Sequence, residues 1–99
     1  MSSEESDDLG GPLEIPIDGI LDLHTFDPRE VKDLLYDYLQ ACREVRILEV
    51  RIIHGKGTGT LRETVHSILA KMEGIESFRL AGGEEGGWGA TCLRLLPLP

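Results

Sequence analysis

The hydrophobic residues of this chain change period along its length, and that change restricts the fold more than any other feature. Val31, Leu34, Leu35, Tyr38, Leu39 and Cys42 recur at helical spacing, which lines one face of a helix with apolar side chains. Leu48, Val50 and Ile52 then alternate with Glu49, Arg51 and Ile53, the twofold period of a strand. Helical spacing returns with Leu61, Val65, Ile68, Leu69 and Met72. A short apolar run, 20–24, precedes the first helix, and segments 75–81 and 90–96 read as two further strands around the glycine-rich stretch 82–89. The order β-α-β-α-β-β predicts an α/β (α+β) two-layer sandwich, with a four-stranded mixed sheet and both helices on one face.

Start and stop signals agree with this order. Asp27 is the expected N-cap of the first helix, with Pro28 in its first position and Glu30 closing a capping box. Thr60 and Glu63 are the same signal for the second helix, and Gly74 is its expected stop.

At 99 residues the chain has room for one hydrophobic core. Residues 1–11 read as a disordered acidic tail and 12–99 as the domain, with 12–19, which contain Pro12 and Pro16, as an extended lead-in or a short edge strand. The formal charge is −8, which disfavours nonspecific attraction of nucleic acid over the whole surface. Glu4, Glu5, Asp7 and Asp8 supply four of the eighteen acids, leaving fourteen against ten bases, a net −4, for residues 9–99. A site for a polyanion must therefore be a local positive focus. No apolar run approaches the roughly 20 residues of a membrane span, and the acidic N-terminus is unlike a secretory signal. The expectation is a cytoplasmic protein with no membrane partner, in which Cys42 and Cys92 are buried reduced thiols.

A strand–helix–strand crossover joins parallel strands with right-handed sense, so the first two strands end on one sheet edge, where open α/β sheets bind ligands. Asp22 and His24 close the first strand, two residues apart and so on one face; His54 closes the second. His54-Gly55-Lys56-Gly57-Thr58-Gly59 then opens a helix at Thr60. Its glycines permit positive φ and close backbone approach, and the helix N-terminus favours an anion. Lys56 adds charge and Thr58 and Thr60 add hydroxyls, so phosphate is the expected guest. The Walker A spacing is absent. Arg51 and Arg62 flank the loop as candidate phosphate contacts, and Trp88 is a candidate for stacking on a base. His66 reads as a boundary residue of the second helix, Tyr36 as helix surface and Tyr38 as core.

Three segments together carry a family resemblance: Leu21-Asp22-Leu23-His24, Ile53-His54-Gly55-Lys56-Gly57-Thr58-Gly59, and Gly86-Gly87-Trp88-Gly89-Ala90-Thr91. In this order the chain resembles the Smr (small MutS-related) domain from about Pro16 to Leu96. The resemblance implies a fold similar to the C-terminal domain of bacterial translation initiation factor three. It also implies binding of DNA or RNA, structured or ribosomal RNA included, and in several members a nicking endonuclease activity on phosphodiester bonds. Asp22 and His24 match the LDxH motif, and His54, Gly55, Gly57 and Gly59 the HGxGxG motif, with Lys56 between its glycines. Thr25 stands where many members carry glycine.

On this reading Asp22, His24 and His54 are the catalytic candidates. One histidine serves as general base and the other as general acid, with Asp22 orienting a histidine or holding Mg²⁺ or Mn²⁺. A single Asp is a thin anchor for a divalent cation, and no metal is required by the sequence. The alternative is a non-catalytic module docking on nucleic acid or the ribosome through the same loop.

Overall fold

The computed structural model describes residues 16–55, 59–81 and 89–99. Strand β1 (Ile20–Asp22) leads through a 3-10 turn (Pro28–Glu30) into helix α1 (Val31–Glu44). Strand β2 (Glu49–Ile53), helix α2 (Thr60–Lys71), strand β3 (Ile75–Leu80) and strand β4 (Ala90–Leu95) follow. The strands form one sheet in the order β1-β2-β4-β3. β1 is parallel to β2, and β4 is antiparallel to both β2 and β3. The expected four-stranded mixed sheet with two helices is present. The last strand lies inside the sheet, so β3 runs in the same sense as β1 and β2 but is separated from β2 by β4. Its C-terminal end thus opens on the edge where β1 and β2 end.

Both helices cover one face of the sheet. Val31, Leu34, Leu35, Tyr38, Leu39 and Cys42 of α1 are buried with Val65 and Leu69 of α2 against Leu21, Val50, Ile52, Leu93 and Leu95 of the sheet. Leu61, Ile68 and Met72 pack at the rim of this core. Full burial of one such apolar side chain contributes about 1.5–3 kcal/mol before conformational entropy is subtracted, so the two stripes hold the layers together. The Tyr38 hydroxyl accepts the Gly19 N–H at 3.0 Å, tying α1 to the entry of β1. Burial pushes the Tyr38 phenol up to about 12.

The other face is uncovered. Ile20, Arg51, Cys92 and Arg79 follow one another across it in register, within a concavity of about 560 Å³ that also takes in Glu49 and Arg94. Cys92 is therefore only half-buried, while Cys42 is buried in the core; both are free thiols. The expectation of two buried thiols fails at Cys92 because strand parity turns it to this open face.

The helix starts differ in detail from the sequence signals. The Asp27 carboxylate accepts the Arg29 N–H at 2.8 Å, and its cap closes a 3-10 turn before the α-helix begins at Val31. Arg29 also pairs with Asp27 through its guanidinium at 2.9 Å. The side-chain cap thus reaches Arg29, and a capping box with Glu30 is not formed. At α2 the cap position belongs to Gly59, in the left-handed region at φ +87, and the Glu63 N–H donates to the Gly59 carbonyl at 2.9 Å. Thr60 is the first helical residue rather than the cap.

Candidate functional site

The first two strands bring their C-terminal ends together. Leu23 N–H donates to the Ile53 carbonyl at 2.8 Å, continuing the parallel ladder one residue beyond β1. The segment before β4 joins them: the Gly89 carbonyl accepts both the His54 and the Gly55 N–H, each at 2.9 Å. The three sequence segments that carried the resemblance are thus in backbone contact at one edge.

Asp22 and His24 form a pair at the surface. Nδ1 of His24 lies 2.5 Å from Oδ1 of Asp22, and the His24 main-chain N–H donates to the same oxygen at 3.0 Å. The His24 and Asp22 side chains are 61% and 47% exposed, respectively. An ionised carboxylate only accepts hydrogen bonds, so the neutral His24 ring carries its proton on Nδ1 and keeps the Nε2 lone pair free. The bonds from His24 hold the Asp22 carboxyl below its usual range, against a small opposing effect of burial.

His54 is placed differently. Ile53 is the register partner of Asp22, so both face the open side of the sheet, and His54, one residue on, turns to the helix side. It is 5% exposed. Its Nδ1 lies 3.1 Å from the Gly55 carbonyl oxygen and its Nε2 lies 2.8 Å from Oγ1 of Thr91. Both ring nitrogens are engaged. His24 and His54 therefore share a sheet edge through their backbones, while their rings sit in different surroundings, one wet and one dry.

Gly55 has φ +81, and a Cβ built on it would meet nothing within 4 Å. Backbone conformation, not crowding, calls for glycine there. A Cβ on Gly59 would lie 2.9 Å from Nη2 of Arg62, so the Arg62 guanidinium folds back over the end of the loop. Thr60 follows at the exposed start of α2. Arg51 does not join this group. Its register partners Ile20 and Cys92 place it in the open-face concavity, where its Nε is buried without a hydrogen-bond partner. Strand parity separates Arg51 from a loop only a few residues away in sequence. Lys56, Gly57, Thr58 and Trp88 lie outside the described residues.

Two residues at this edge escaped the sequence reading. Thr91 is fully buried, and its Oγ1 lies 2.7 Å from Nε2 of His66 as well as against His54. His66 also packs edge-on against Phe78, with ring centroids 5.2 Å apart. It is the boundary residue of α2 that its spacing suggested, but it has a partner at the site. Its pKa is lowered, first by burial and then by the charges of His54 and Arg62. One signal was available: counting by twos from Val50 and Ile52 puts His54 on the core side. Nothing local says that Thr91 and His66 meet it there.

Among the described residues, no group of three or more His, Cys, Asp or Glu side chains is placed to hold a metal ion. Asp22 and His24 alone do not make a divalent-cation set of the usual ligand count. Among the same residues, no helix is long and apolar enough to cross a membrane.

Comparison with known proteins agrees with this architecture. Endonuclease MutS2 of Thermomicrobium roseum is 42% identical over 66 residues, 67% of this chain and 8% of that protein. Endonuclease MutS2 of Brevibacillus brevis is 46% identical over 67 residues, 68% of this chain and 8% of that protein. The chain therefore spans less than a tenth of the length of these relatives. The crystal structure of the Smr domain of Thermus thermophilus MutS2 superposes with a TM-score of 0.74 at 33% identity, covering 79% of this chain and 98% of that one. YdaL, a stand-alone small MutS-related protein from Escherichia coli, shares the fold at a TM-score of 0.74 and 24% identity, over 82% of this chain and 66% of that one. The Smr domain family model matches residues 21–95, and the chain belongs to the Smr domain family.

Proposed function

We propose that this chain binds nucleic-acid phosphate at the β1–β2 sheet edge and nicks the phosphodiester bond there, with His24 as general base. The observation that carries the reading is the exposed Asp22–His24 pair beside the entry of a glycine loop that opens α2. Asp22 fixes the ring so that Nε2 is free to take a proton from water, or from a ribose 2′-hydroxyl in RNA. The oxygen so activated forms a bond to phosphorus, the bond to the leaving oxygen breaks, and that oxygen takes a proton from solvent. Lys56, Arg62 and the loop amides beyond Gly55 balance charge on the phosphoryl oxygens. His54, with both nitrogens engaged, holds the loop rather than exchanging protons with substrate. The relatives named endonuclease support the reaction class, and the loop chemistry supports the ligand.

A second reading, nucleic-acid docking without cleavage, is favoured by the same engagement of His54, since it leaves one imidazole at the edge to move protons. Purified protein with labelled DNA and RNA, with and without Mg²⁺ or Mn²⁺, separates the two. Cleavage by the wild type that is lost in His24→Ala while binding persists supports the nuclease. Binding without cleavage by the wild type leaves docking as the function, and equal cleavage by His24→Ala removes His24 as the base.

A further inference from the structure

The His54 ring, the Thr91 hydroxyl and the His66 ring form a hydrogen-bonded row behind the loop, and its chemistry fixes the direction of every bond in it. The Gly55 carbonyl can only accept, and it lies 3.1 Å from Nδ1 of His54. The neutral ring therefore carries its proton on Nδ1, and Nε2 is an acceptor. The atom 2.8 Å from Nε2 is Thr91 Oγ1, which must donate. Its one proton is then engaged, so towards His66 Nε2, at 2.7 Å, the hydroxyl accepts and His66 donates. The order is His66 Nε2–H to Thr91, Thr91 O–H to His54, and His54 Nδ1–H to Gly55. Thr91 has no solvent exposure, so bulk water does not substitute for either ring.

The far end of the row is held by packing. The His66 ring stands edge-on to Phe78 of β3 and at 79° to His54, with centroids 5.2 and 6.2 Å away. The near end is the first glycine of the loop. Gly55 donates its N–H to Gly89 and receives His54 on its carbonyl, so both its polar groups are fixed while its φ is +81. The direction in which the chain leaves β2 is set there.

We infer that Thr91 and His66 are positioning residues for the phosphate loop: the Thr91 hydroxyl, anchored by His66, holds the His54 ring by its Nε2, and the ring so held pins the Gly55 carbonyl through its Nδ1 proton. This rests on the reading of the loop as the phosphate-receiving element. Neither side chain touches the ligand. Without the hydroxyl, the Nδ1–H form survives through its bond to Gly55, but Nε2 is left buried and unpaired and the ring loses its anchor.

Long-range imidazole ¹H–¹⁵N correlation spectra of ¹⁵N-labelled protein report the tautomers directly, and binding of a labelled oligonucleotide reports the loop. In the wild type His54 is expected to be protonated at Nδ1 and His66 at Nε2. Thr91→Val is expected to keep the His54 proton on Nδ1 but move its Nε2 resonance to that of an unbonded nitrogen, and both it and His66→Leu are expected to weaken binding by up to about a hundredfold, the scale on which a misplaced group costs function. Thr91→Ser keeps the hydroxyl and His66→Gln keeps an N–H donor, so both are expected to retain the wild-type spectrum and affinity. A wild-type His54 protonated at Nε2 overturns the inference without any variant. A displaced Nε2 resonance in Thr91→Val with unchanged affinity overturns the positioning role alone. The expected wild-type tautomers in a chain that holds no oligonucleotide overturn the nucleic-acid reading, and the positioning role with it.

Discussion

One oxygen of Asp22 receives His24 twice, from the ring Nδ1 at 2.5 Å and from the main-chain N–H at 3.0 Å. The second bond folds the backbone into a tight turn and the first aligns the ring, so a single carboxylate sets both the place and the tautomer of the exposed imidazole. If His24 is the general base, His24→Ala lowers the cleavage rate by roughly 10²–10⁴-fold. Asp22→Asn, which retains an acceptor but loses its charge, costs less. Initial rates on labelled substrate, with circular dichroism as a folding control, check this. Unchanged rates in both variants would remove the pair from the mechanism.

His66 gives stability a pH dependence of known sign. Burial, His54 and Arg62 hold its pKa below the ordinary 6.5, with Thr91 and Phe78 completing its surroundings. Between that lowered value and 6.5 the unfolded chain binds more protons than the folded one, so stability falls as pH drops through this window. Urea midpoints measured from about pH 8 to about pH 5 are expected to fall more steeply for the wild type than for His66→Gln. Parallel curves would contradict the assignment.

Tyr38→Phe tests the tie between α1 and β1. The change removes the acceptor of the buried Gly19 N–H and leaves that donor unpaired, at a cost of about 1–3 kcal/mol. The urea midpoint is expected to fall with little change in the slope of the transition. A midpoint equal to wild type would show that the hydroxyl contributes nothing to the strand entry.

Gly55 and Gly59 separate backbone strain from crowding. Both have positive φ, but only at Gly59 does an added Cβ meet another group, the mobile end of Arg62. Gly55→Ala is expected to lose about 1–2 kcal/mol of stability from the left-handed backbone alone. Gly59→Ala loses a similar amount and displaces the guanidinium as well. Oligonucleotide affinity relative to stability is therefore expected to fall further in Gly59→Ala, and equal ratios in the two variants would speak against Arg62 as a phosphate contact.

Salt dependence distinguishes the arginines. Each phosphate contact to duplex DNA contributes about 0.9 to the slope of log affinity against log salt. Arg62→Ala, which removes the group folded over Gly59, is expected to reduce that slope by about this amount. Arg51→Ala, in the open-face concavity, is expected to leave it unchanged. A reduced slope for Arg51→Ala would move the binding surface to the uncovered side of the sheet.

The sequence alone determined the elements and their inward faces. The apolar stripes of both helices lie where their spacing put them, with all six positions from Val31 to Cys42 buried, because periodicity records which side of an element meets the core. The cap residues were legible to within a position: Asp27 closes a 3-10 turn and Gly59 takes the place expected for Thr60, since one free N–H can be met by several neighbouring groups at similar cost. The tertiary structure decided what the strand ends share. Strand pairing is nonlocal, and only the insertion of β4 between β2 and β3 sets Thr91 between His54 and His66. Strand parity, acting on adjacent residues, then sent Asp22 and Arg51 to one side of the sheet and His54 to the other. Spacing fixes alternation within a strand, and the side that faces solvent depends on which layer the helices cover.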